Sequence, residues 1–118
     1  MATYSFRDLI VWQRAMQLAE DVYECIRKLP KSELYSLSDQ IKRCAVSVPS
    51  NIAEGQKRLN KQETIQFSGI ALGSLAELQT QLILCQRIYR LDVKQLVDEC
   101  DQIGKMLTAL IRSLRSKN

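Results

Sequence analysis

Residues 93–114, Val93-Lys94-Gln95-Leu96-Val97-Asp98-Glu99-Cys100-Asp101-Gln102-Ile103-Gly104-Lys105-Met106-Leu107-Thr108-Ala109-Leu110-Ile111-Arg112-Ser113-Leu114, carry the clearest pattern in the chain. Val93, Leu96, Cys100, Ile103, Leu107, Leu110 and Leu114 recur at alternating steps of three and four, the period of one helix face meeting a partner. Asp92, with Gln95 three residues on, opens this helix. Upstream, Ala71, Leu75, Leu78, Leu82, Cys85 and Tyr89 repeat the alternation behind Asn60-Lys61-Gln62-Glu63, which has the form of a capping box. Leu34, Leu37, Ile41, Cys44 and Val48 mark a helix that Ser32 caps and that runs to about Gly55. Val11, Ala15, Leu18, Val22, Cys25 and Leu29 mark another, from Phe6 to Leu29, stopped by Pro30. Short loops at 30–32, 56–60 and 90–92 turn each helix back on its predecessor. The expected fold is all-α, an antiparallel up-down-up-down four-helix bundle formed by residues 1–118 as one domain. Pro49 lies within the second helix, where it removes one hydrogen bond and crowds the Ala45 carbonyl, so a kink is expected there.

The composition favours a helical globule: four Gly and two Pro stand against 46% hydrophobic and 25% charged residues. No stretch approaches the roughly 20 apolar residues of a membrane span, and the start of the chain lacks a basic then apolar leader. A cytoplasmic protein without membrane attachment is expected. Cys25, Cys44, Cys85 and Cys100 form no C-x-x-C pair and each falls on an apolar stripe, which makes them reduced packing residues. The chain has no His, and no phosphate-loop, dinucleotide, zincin or nucleophile-elbow motif. Glu20, Asp21 and Glu24, with Asp98, Glu99 and Asp101, offer carboxylates on two helices, but carboxylate metal bundles draw on Glu-x-x-His. These acids read as solvated faces. No catalytic residue, metal or cofactor is expected, and the chain is read as a binding protein rather than an enzyme.

Charge supplies the candidate site. The net charge is +4, and Lys42 and Arg43 with Lys57, Arg58 and Lys61 cluster along the second helix and its exit. Fifteen residues span about 22 Å and return within about 60° on the helical wheel, so the two groups share roughly one side. A phosphate-facing track and a merely solvated basic face both fit this pattern. Arg112, Arg115 and Lys117 are explained by the helix dipole. Gly69 and Gly73, among Ser68, Ala71, Ser74 and Ala76, make the third helix small on several sides, either for the second helix to pack on or for a subunit contact. Glu77 would be costly to bury there without a partner, from a nearby Arg or another subunit. Beside the main stripe the first helix also carries Trp12, Met16, Ala19, Tyr23 and Ile26, and the fourth adds Val97 and Ile111. Apolar arcs this wide imply a homo-oligomer.

The segment Ser47-Val48-Pro49-Ser50-Asn51-Ile52-Ala53-Glu54-Gly55 occurs with four flanking features. These are Phe6-Arg7-Asp8-Leu9 before Val11-Trp12, Leu29-Pro30 before Glu33-Leu34-Tyr35, Gln40-Ile41-Lys42-Arg43, and Ala71-Leu72-Gly73-Ser74 before Glu77-Leu78. In this order the chain resembles the 23S rRNA intervening-sequence proteins over nearly its whole length. The resemblance implies a bacterial, non-enzymatic four-helix bundle assembled as a homopentamer and associated with RNA, its motif residues Pro49, Asn51, Glu54 and Gly55 serving structure or interface. A structurally related group serves diversity-generating retroelements, binding a reverse transcriptase and its RNA. The alternative function it implies is a protein-binding scaffold, such as an accessory subunit of a reverse transcriptase.

Overall fold

A computed structural model describes residues 5–116; residues 1–4, the stretch that bears on a leader, and Lys117 lie outside the described residues. The chain forms a 3-10 turn at Phe6–Asp8, then α1 (Ile10–Ile26), a second 3-10 turn at Lys31–Glu33, α2 (Leu37–Gln56), α3 (Lys61–Tyr89) and α4 (Lys94–Ser116). All described secondary structure is helical. Each of the four α-helices carries the stripe its sequence announces: Ala15, Leu18 and Val22, then Ile41, Cys44 and Val48, then Leu75, Leu78 and Leu82, then Ile103 and Leu107 are buried together, and Ile52 joins them. α1 packs on α2 and α4, and α3 packs on the same two, so the helices form four sides around one core. Contacts along each seam fall in reversed order. Ser47 meets Ser74 and Gly55 meets Thr64; Gln79 meets Val97 and Leu72 meets Gly104; Arg14 meets Glu99 and Cys25 meets Asp92. The end of α2, the start of α3, the end of α4 and the start of α1 therefore share one pole of a bundle 49 Å long.

Two helix starts differ from the sequence reading. α1 begins at Ile10 rather than Phe6, because the Ser5 hydroxyl accepts from Arg7 N–H and closes a separate turn, after which Leu9 is extended. α2 begins at Leu37, not after Ser32. Glu33 instead turns its carboxylate to the Ser36 hydroxyl, 2.7 Å away, and to the Tyr89 hydroxyl at the far end of α3. That tie holds the crossover as a short turn and leaves Leu34 exposed rather than in the core. Asn60 caps α3 as expected, its side chain accepting from Glu63 N–H at 2.9 Å. α3 ends on Arg90 in the left-handed conformation (φ 60°), with its N–H donating to Gln86 carbonyl.

The Tyr89 bond, then the Ser36 bond, hold the Glu33 carboxyl below its ordinary value. A depressed carboxylate stabilises the fold above its unfolded value near 4.5 and loses that contribution as pH falls through the folded value. Tyr89→Phe should therefore lower the thermal midpoint near neutrality and flatten its fall on acidification below about pH 4.5, so that parent and variant converge in acid. Melting curves of parent and variant across that range check this, and parallel pH profiles would refute it.

Candidate nucleic-acid interface

Pro49 is buried within a helix that continues to Gln56, and the motif around it builds the α2–α3 seam. Asn51 donates through Nδ2 to the Ser47 carbonyl and hydroxyl at 2.8 and 2.9 Å, and the Ser47 hydroxyl bonds that of Ser74 at 2.7 Å. One turn further on, Gly55 lets the helices touch: a β-carbon there would lie 3.0 Å from Phe67 Cβ and 3.3 Å from the Thr64 carbonyl. Thr64 uses that closeness to donate its hydroxyl to the Gly55 carbonyl at 2.8 Å. Glu54 faces outward and pairs with Arg58 at 2.8 Å. The seam ends in the turn that presents Lys57, Arg58 and Lys61.

The structure divides the five cations read from sequence. Arg43 is drawn back to Asp39 at 3.0 Å, and Lys42 is half-buried with its ammonium 5.4 Å from the centre of the Tyr23 ring. Lys57, Arg58 and Lys61 stand instead at the pole formed by the ends of α2 and α4. Arg58 lies over the Phe67 ring at 4.6 Å, and Leu59 between the cations is fully exposed. Arg112 and Arg115 join them: each follows Gly104 by as many residues as Thr64 and Lys61 precede Leu72, so they arrive at the same height. Arg7 is brought there by its 3-10 turn, which packs on α2.

The pole thus holds six described cations, Arg7, Lys57, Arg58, Lys61, Arg112 and Arg115, against three acids, Asp8, Glu54 and Glu63. Over the rest of the described chain ten cations face ten acids. All the excess positive charge of the described residues is at this one end. Reading cations along a single helix missed Arg7, Arg112 and Arg115, because it is the reversal of successive helices that gathers them.

Other candidates separate as well. Ser68, Ala71 and Ser74 are buried, whereas β-carbons on Gly69 and Gly73 would meet nothing within 4 Å, so those glycines face open space rather than α2. Glu77 is exposed and carries no burial cost; it makes no ion pair among the described residues. Burial pushes all four thiols up, Cys100 to about 12, which keeps them protonated and suits packing roles. A second surface lies between α1 and α2: a groove of about 690 Å³ lined by Phe6, Trp12, Met16, Tyr23, Val46 and Pro49. Met16 and Tyr23 stay exposed there, while Ile26 turns into the core.

The profile of the 23S rRNA-intervening sequence proteins matches residues 7–109, nearly the whole bundle. The chain belongs to this family. A solved protein of unknown function from the S23 ribosomal protein family, from Bacteroides thetaiotaomicron, shares the fold with a TM-score of 0.77 at 21% identity. That alignment covers 86% of this chain and 98% of the other. No curated protein matches the chain. Of the pole cations, Arg7, Lys57, Arg58 and Lys61 fall within the matched region, and Arg112 and Arg115 lie beyond its end. No helix among the described residues is long and apolar enough to cross a membrane.

Proposed function

We propose that the protein is a non-enzymatic RNA-binding homo-oligomer that holds the phosphate backbone on the cationic pole. The observation that carries this reading is the concentration of excess charge at that pole. Guanidinium and ammonium groups there neutralise phosphates and release counterions, the term that dominates nucleic-acid affinity. Charge of this size on one copy is modest. Repetition around an oligomer makes a collective field and adds avidity without a new contact, with the pentamer of the family resemblance as the assembly expected. The membership of the chain in a family named for insertions in 23S rRNA supports RNA as the polyanion.

The test is titration of a labelled single-stranded RNA at low salt against three proteins. These are the parent, a pole variant with Lys57, Arg58, Arg112 and Arg115 changed to Gln, and Arg43→Gln on the length of α2. The pole variant should lose at least about tenfold in affinity and the other variant much less. Equal losses would return the site to the length of α2. Absence of binding by the parent would overturn the RNA reading in favour of the protein-binding scaffold.

A further inference from the structure

The bundle exposes two unlike surfaces that its own helices leave uncovered. One is the concave groove between α1 and α2, walled by Trp12, Met16 and Pro49. The other is the outer side of α3, where Gly69 and Gly73 present bare backbone to open space and Leu84 is 42% exposed. α3 touches α2 but not α1, so this side is distinct from the groove. Contact of groove with groove would leave the α3 side bare. Contact of groove with α3 covers both at once.

Height along the bundle makes the two surfaces complementary. Pro49 lies two residues beyond Ser47 and Gly73 one residue before Ser74, and the two serines are hydrogen-bonded, so Pro49 and Gly73 are level. Trp12 shares the groove with Pro49, and Arg14 two residues on reaches Glu99 and Met106, which the α3–α4 register sets level with residues 77–70, so Trp12 lies within about 8 Å of the height of Gly73. If a second copy stands alongside in the same orientation, its largest groove side chain therefore meets the part of α3 that has none. Close approach of this kind is what helical glycine permits. Charge matches too. Lys42 precedes Ser47 by five residues and Glu77 follows Ser74 by three, about 8 and 5 Å along helices of opposite sense. Lys42, held over Tyr23 at the groove edge, thus comes within a turn of the height of Glu77, which has no ion-pair partner in its own described chain.

We infer that the α1–α2 groove of one copy receives the outer face of α3 from a second copy standing parallel to it, with Trp12 against Gly73 and Lys42 opposite Glu77. The contact joins unlike surfaces, so each copy has one of each to offer and the arrangement repeats head to tail. Parallel copies put every cationic pole on the same rim, which gives the proposed RNA reading its collective field. The inference deepens that reading but stands on different residues.

Light scattering at micromolar concentration on the full chain tests it. Gly73→Leu adds a side chain where one copy has room, and it replaces glycine with a better helix former, so the bundle itself should keep its helix content and melting point. The assembly should nevertheless fall to the 13.5 kDa of one copy. Glu77→Lys and Lys42→Glu should each raise the dissociation constant at least about tenfold, and the double exchange should restore most of it. A parent of 13.5 kDa, or an unchanged mass for Gly73→Leu and both single exchanges, would overturn the interface. A parent that assembles but does not retain RNA leaves the interface standing and removes the RNA reading alone.

Discussion

Gly55→Leu should lower the stability of the bundle by about 2–3 kcal/mol, which at this chain length is roughly a 10 °C fall in thermal midpoint. At Gly55 a β-carbon would meet Phe67 Cβ at 3.0 Å and the Thr64 carbonyl at 3.3 Å. Both obstacles sit on or next to the α3 backbone, so neither swings aside as the tip of a flexible chain would. The helices must part, and parting weakens the Thr64 hydroxyl bond to the Gly55 carbonyl. A bond of that kind contributes about 1 kcal/mol, and the gain in helix propensity on losing glycine, about 1 kcal/mol, offsets it. What remains is the overpacking itself. Thermal melts of the parent, Gly55→Ala and Gly55→Leu should descend in that order, and a Leu variant as stable as the parent would show that the seam is not closely packed.

Leu78→Ala should cost about 2–5 kcal/mol, the range found when a fully buried leucine is cut back and its cavity stays open. Leu78 is fully buried on α3, which packs against both α2 and α4. A domain of this size is stable by only about 5–15 kcal/mol, so the loss consumes a large share. Ile88→Ala, on the same helix but 60% exposed, should change stability by no more than about 0.5 kcal/mol. Urea melts that report similar losses for both variants would contradict the placement of the core.

The helices were legible because one apolar face repeats every three or four residues, and the core is built from residues that this repeat selects, with Leu34 the exposed exception. The Asn60 cap was legible too, since it depends on a partner three residues away. What failed were features whose partners are remote in sequence. Ser32 had the composition of a cap, but Glu33 finds Tyr89 across 56 residues and the helix starts later. Lys42 had the look of a solvated cation, but Tyr23 on another helix holds it beside the groove. The division of the small residues of α3 into a buried side and a bare side turns on angular position against α2, which composition does not reveal.

The cationic site was half legible. Lys57, Arg58 and Lys61 are neighbours in sequence, and their clustering survives folding. Arg112 and Arg115 lie some fifty residues away, and only the reversed register of α3 and α4 brings them level with Thr64 and Lys61. Helix-dipole stabilisation still applies to them, since they close α4. A cation at a helix end is not thereby used up, because an exposed guanidinium keeps donors for a phosphate.

The measurement closest to the central claim is the salt dependence of RNA affinity. Log affinity for a single strand falls with log salt by about 0.7 for each phosphate neutralised. The parent should show a steep line. The variant with Gln at 57, 58, 112 and 115 should retain its oligomeric mass and show a shallower line, by up to about 3 units per copy engaged, whereas Arg43→Gln should keep the parental slope. Parental slope in the pole variant, with the slope lost in Arg43→Gln instead, would contradict the assignment of phosphate binding to the pole.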